Sequence, residues 1–229
     1  NYLRRENENK KHFEQQSFLP SSLLKRGTVS LDYGLLNKNS DFYNLRLGLT
    51  QSFNLDFSSE LINSKNKKYK KFTDNYLDSG IRSARGGGTL KIFSQERGDL
   101  ISTNFRLSFG RSMGEIRNGY MFGEIINKYS KNESVSLNLT PKFSITGDGN
   151  IYSIAPSLNF KLNPRIELIP EANIGLQNSD NNFSLTGRTY LSEKIIIDSF
   201  ISNSFGMIDM AKQFKSESPK YGVKLKLIF

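Results

Sequence analysis

From residue 28 onward, polar and apolar side chains alternate one for one, over runs far longer than a turn or a helix face would give. In 134–145, Ser134, Ser136, Asn138, Thr140, Lys142 and Ser144 share one parity; Val135, Leu137, Leu139, Pro141, Phe143 and Ile145 share the other. A strand sends successive side chains to opposite faces, so this pattern predicts an amphipathic β-strand of about twelve residues. The same alternation runs through 45–49, 101–109, 152–162, 183–191 and 221–229. Leu49-Thr-Gln-Ser-Phe-Asn-Leu55 is matched by Leu162 to Leu168 and by Leu191 to Ile197. Each match is a strand end, a short polar turn and a strand restarting, which is the signature of a hairpin.

Treating these turns as hairpins predicts twelve strands, near 28–36, 42–50, 53–62, 88–95, 100–110, 119–127, 133–145, 150–162, 165–177, 182–191, 194–204 and 219–229. The strand at 119–127 is poorly patterned, because Tyr120, Met121, Phe122, Ile125 and Ile126 do not alternate; 194–204 is apolar on both faces near Ile195 to Ile197. The connections 63–87 and 205–218, the longest, fall at one end with the other longer loops, and tight turns fall at the opposite end. An even strand count puts both termini at the tight-turn end. Gly86-Gly87-Gly88 reads as a hinge closing the long loop, and Pro141, Pro156 and Pro170 are expected to need bulges, since proline cannot donate to a ladder.

Alternation fits either a soluble barrel, apolar inside, or a membrane barrel, apolar outside. A strand of ten residues rises about 33 Å, which at a tilt of about 40° matches the roughly 25 Å band that faces lipid. No apolar run is long enough for a membrane-crossing helix, with mean hydropathy at −0.50. The absence of cysteine excludes disulfides and thiolate sites, and His12 is the only histidine, which leaves little for triads or zinc. Phosphate-loop and HExxH motifs are missing, so neither an enzyme, a cofactor nor a metal is expected. The net charge is +10, concentrated in 1–26 and 63–87. Nucleic acid as the anionic partner is disfavoured, because Phe53, Phe57, Phe105, Phe143 and Phe160 lie on the face opposite the basic residues.

The chain ends Tyr221-Gly-Val223-Lys-Leu225-Lys-Leu227-Ile-Phe229. This closely resembles the C-terminal assembly signal of bacterial outer-membrane β-barrel proteins, and the turn-strand repeats resemble uncharacterised cyanobacterial outer-membrane barrels. The resemblance implies an all-β, twelve-stranded antiparallel up-and-down transmembrane barrel in the bacterial outer membrane. It implies as partners outer-membrane lipid and lipopolysaccharide, with the barrel-assembly machinery reading Tyr221, Val223, Leu225, Leu227 and Phe229.

On that reading the polar parity lines the lumen with Arg46, Lys91, Arg106, Lys142, Lys161, Arg188, Lys224 and Lys226. These face Asp32, Asp56, Glu60, Glu167, Glu171 and Asp198. The basic excess points to a narrow porin-like channel for small polar or anionic solutes. The alternative is a structural barrel that binds partners through 63–87 or its N-terminal arm. Residues 1–27 form a polar arm, placed either in the periplasm or in the lumen as a plug, ahead of the barrel at 28–229. Neither Met nor an apolar leader stands before Asn1, as expected of a processed chain or one whose start is missing.

Overall fold

The computed structural model describes residues 23–37, 39–115, 118–130, 132 and 134–229. Twelve strands run in chain order among them: β1 (Val29–Leu36), β2 (Ser40–Gly48), β3 (Phe53–Leu61), β4 (Arg82–Phe93), β5 (Ser102–Ser112) and β6 (Gly119–Ser130), then β7 (Val135–Thr146), β8 (Gly149–Asn163), β9 (Ile166–Gln177), β10 (Asn182–Tyr190), β11 (Ile195–Ser204) and β12 (Lys215–Ile228). Each pairs antiparallel with its chain neighbour, and β1 pairs with β12, so the sheet closes on itself without an edge. Val29 and Phe229 exchange backbone hydrogen bonds at 3.1 and 2.9 Å, so the barrel begins and ends at the tight-turn end.

The outward parity carries the apolar residues. Leu137 is 48 % exposed and Leu139 44 %, while Asn138 between them is 1 % exposed. Leu45, Leu47, Phe105, Leu107, Val135, Leu158, Phe160, Val223 and Leu225 share this outward side. Aromatics mark both rims: Tyr43 and Tyr221 toward the loop end, and Phe93, Tyr129 and Phe229 toward the turn end, are all exposed, as in the girdles of membrane barrels. Leu107 sits midway along β5. Replacing it by arginine should cost about 2–4 kcal/mol in urea unfolding from lipid vesicles, and a loss of under about 1 kcal/mol would remove it from the bilayer midplane.

Several expectations are corrected. β4 starts at Arg82, so Gly86, Gly87 and Gly88 pair with Phe57, Asp56 and Leu55 inside the wall and form no hinge. Gly87 faces inward, where an added Cβ would lie 2.4 Å from the Leu107 carbonyl, so β4 and β5 approach more closely than any side chain permits. β12 likewise starts at Lys215, earlier than expected. The prolines need no bulge. The β6–β7 register is the same on both sides of Pro141, and the β8–β9 register is the same from Ser153 to Lys161, across both Pro156 and Pro170; the ladder simply skips pairs there. In β6, Phe122 turns inward against packed loops and Ile126 turns inward too, while Met121 and Ile125 turn outward, so a true strand loses its visible alternation. Asn138 faces inward, is buried and donates to Ser157 at 3.1 Å and Asn159 at 3.2 Å.

At the turn end, the backbone before β1 crosses the mouth. Leu23 and Leu24 are buried, Gly27 N–H donates to the Gly48 carbonyl at 2.8 Å, and the Lys25 carbonyl occupies the space a Gly48 side chain would need. The remainder of the predicted arm, 1–22, lies outside the described residues.

Candidate functional site

The interior is where the charge collects. Arg46, Arg106, Lys142, Arg188, Lys224 and Lys226, with Asp32, Asp56, Glu60, Glu167, Glu171 and Asp198, all stand on inward parity and are buried. Lys91 and Lys161 stand on the same parity near the turn end and are half-buried. Sequence reading missed Arg85, Glu124, Lys128 and Lys220, which also point inward; Arg85 and Lys128 lie where β4 and β6 were drawn too short, Glu124 where β6 shows no alternation, and Lys220 within the expected last strand on the parity of Lys224 and Lys226.

These groups are organised across strands. In one cluster Asp198 accepts from Arg188 Nε at 2.7 Å and Nη2 at 2.9 Å, and from Lys224 Nζ at 2.6 Å. In another, Arg106 binds Asp56 at 2.6 Å and stands 3.7 Å from Glu124. Arg85 reaches Glu60 at 3.0 Å and donates to the Tyr120 hydroxyl at 2.6 Å. Ion pairs out of water stand only when well matched in geometry and hydrogen bonding, so these clusters are costly to disturb.

The lumen holds more than wall side chains. The connection 205–214 between β11 and β12 folds inward, and every one of its residues is buried. Its one-turn helix Asp209–Gln213 carries the attachments. Asp209 accepts from Arg106 at 2.5 Å and from Ser108 at 2.6 Å; Lys212 binds Glu171 at 2.6 Å; Gln213 donates to Ser153 at 3.0 Å and accepts from Ser144. Asp209 has φ +49°, a left-handed conformation that aspartate tolerates better than most side chains. At the neck, Phe205 N–H donates to the Phe214 carbonyl at 2.8 Å, so the loop enters and leaves at one point.

A second connection covers the first. Residues 62–81 include an α-helical turn, Lys70–Phe72, continued by a π turn, Thr73–Leu77. Ile62, Phe72, Tyr76 and Leu77 pack on Phe205, Met210 and Phe214, with Tyr120, Phe122 and Ile151 from the wall, in one apolar cluster. The loop-end mouth is thus sealed by a hydrophobic lid over an ionic interior.

The lid is tied to the β7–β8 turn through Asp148, which accepts from Asn75 at 2.8 Å and pairs with Lys71 at 3.0 Å. The Asn75 hydrogen bond first, and Lys71 with it, hold the Asp148 carboxyl below the usual aspartate range. A carboxylate depressed in the folded state adds stability that is complete above its unfolded value and is lost as pH falls through the folded one. Protection against hydrogen exchange over 70–77, taken relative to the intrinsic amide rate at each pH, should therefore be unchanged from pH 7 to about 5 and fall only below about pH 4. A fall in protection already by pH 6 would mean that another group holds the lid.

No family model matches the chain, and no curated protein matches it. Solved structures do. "KdgM porin in complex with disordered oligogalacturonate" superposes with a TM-score of 0.63 at 8 % identity, over 88 % of this chain and 99 % of that one. "NanC porin" gives 0.58 at 6 % identity, over 87 % and 98 %. Outer membrane phospholipase A from Escherichia coli gives 0.57 at 9 % identity, over 90 % and 94 %. The fold is that of bacterial outer-membrane β-barrels.

Proposed function

We propose that this chain is an outer-membrane, porin-like channel for small polar or anionic solutes, held shut in the described state by loop 205–214. The observation that supports it most is what fills the interior. A self-contained loop, bound to the wall by ion pairs and hydrogen bonds, occupies a lumen otherwise lined by charged and polar side chains. Such a loop can leave without unmaking the wall. Arg85, Lys128 and Lys220 enlarge the basic excess read from the sequence, which favours anions in a narrow bore where fixed charges lie within about a Debye length of every solute. The oligogalacturonate of the KdgM complex is a polyanion of this kind. In this reading the chain is not an enzyme, despite its likeness to a phospholipase, because its one histidine, His12, precedes the barrel. The outward column Tyr221, Val223, Leu225, Leu227 and Phe229 on β12 is the segment that the barrel-assembly machinery would read.

Openings in planar bilayers should show a reversal potential on the anion side under a KCl gradient. Lys91 and Lys161 are the residues to change, because they are only half-buried, whereas Arg106 and Arg188 hold the interior together. The double variant Lys91→Glu, Lys161→Glu should move selectivity toward cations. Cation preference in the wild type would defeat the anion assignment. The sealed mouth supports a second reading, a closed barrel that scaffolds partners through 62–81. Conductance separates the two: a barrel that stays silent after its plug is removed is a scaffold.

A further inference from the structure

The outer wall carries a groove of about 820 Å³ toward the loop end of β3 to β7. Its lipid-facing lining is Phe57, Ala84, Gly86, Phe109, Met121 and Ile145. Gly86 and Ala84 leave the floor low between the two exposed phenylalanines, which are paired across it in register with Gly86. Arg111 stands on the rim, on the same outward parity and one step beyond Phe109 toward the loops. Arg111 is exposed, and its guanidinium makes no ion pair or hydrogen bond with the described residues. Arg82, one strand away, is by contrast neutralised by Asp41 at 2.6 Å.

An unpaired guanidinium at the edge of an apolar crease on a lipid-facing wall has one complementary occupant, a lipid with a hydrocarbon chain and an anionic phosphate head. Guanidinium matches phosphate geometry and charge, and the crease takes the chain. Long loops of bacterial barrels lie outside the cell, so this end of the wall meets the outer leaflet. We infer that the groove is a specific site for one phosphorylated acyl glycolipid of the outer leaflet, its phosphate on Arg111 and one acyl chain over Gly86. The inference rests on the outer-membrane reading and not on solute passage.

The test uses the full chain folded in detergent, with diphosphoryl lipid A as probe and native mass spectrometry as readout. One lipid A should remain bound to the wild type. Arg111→Gln and Gly86→Leu should each weaken binding about tenfold, as should removal of the lipid phosphates. A Cβ at residue 86 meets only the Phe57 ring at 3.6 Å, so the leucine fills the groove without distorting the wall. Equal binding by wild type and both variants overturns the site. So does equal retention of phosphatidylglycerol, or a dimer of the chain in place of bound lipid. Failure of the wild type to insert into liposomes overturns the outer-membrane reading and the site together, whereas an inserted barrel that retains no lipid overturns the site alone.

Discussion

Excising residues 207–212 and joining Gly206 to Gln213 through two glycines should convert a closed barrel into one that conducts steadily in planar bilayers. The excision removes Asp209 and Lys212 with the loop tip, and so breaks its ties to Arg106, Ser108 and Glu171. The wall survives, because Phe205 and Phe214 already meet at the neck and β11 and β12 stay paired from Ser202 to Ile195. Asp209→Gly is the gentler version: it keeps the left-handed backbone at no steric cost and deletes only the charge. It should raise the frequency of openings without reaching the steady conductance of the excision. If the excised barrel migrates as a folded species on a gel yet passes no current, the channel reading fails and the scaffold reading replaces it.

The largest loss of stability should come from Asp198→Ala. That side chain takes both arms of Arg188 and the Lys224 ammonium, and all three are at most 1 % exposed. Removing the shared carboxylate leaves two cations buried side by side, a change that costs about 3–5 kcal/mol in comparable buried pairs. Unfolding from vesicles in urea reports it. A loss below about 1 kcal/mol would mean that water reaches Arg188 and Lys224 freely, so that the interior is wetter than its packing indicates. Exchanging Arg188, Asp198 and Lys224 together for well-matched apolar residues should cost much less than Asp198→Ala, because no member of the cluster is then left without its partner.

Most of the barrel could be read from parity, because its inward face is polar where it meets other wall residues and its outward face is mainly apolar. The interior defeated that reading in two ways. In β4, Gly86 to Gly88 carry no side chains, so no alternation shows, and Ser83 and Arg85 were left in a loop although they belong to the same inward column. In β6 and β11, Phe122 and Phe200 are apolar residues facing inward, because they meet apolar loops and not water, and Ile126 is a third buried inward apolar side chain. The plug itself left a signal that parity could not use. A connection containing Phe205, Met207, Ile208, Met210, Ala211 and Phe214 is too apolar to lie in solvent. Tyr69, Phe72, Tyr76 and Leu77 in 63–87 say the same, beneath the lysines that made that stretch look like a solvated charged loop. Asp209 and Lys212 were invisible as site residues for the same reason, since nothing in a loop sequence states which wall it will meet.

The plug is carried by the last hairpin of the chain, and β12 of that hairpin is also the strand that seals the wall against β1. On the proposed channel reading, the segment that stoppers the cylinder is joined directly to the strand that seals it. Without β12 the sheet is an open ribbon that encloses no bore, and the stopper comes on the same hairpin as the seal. Leakage would depend on how often the loop lets go, not on how quickly the barrel is built.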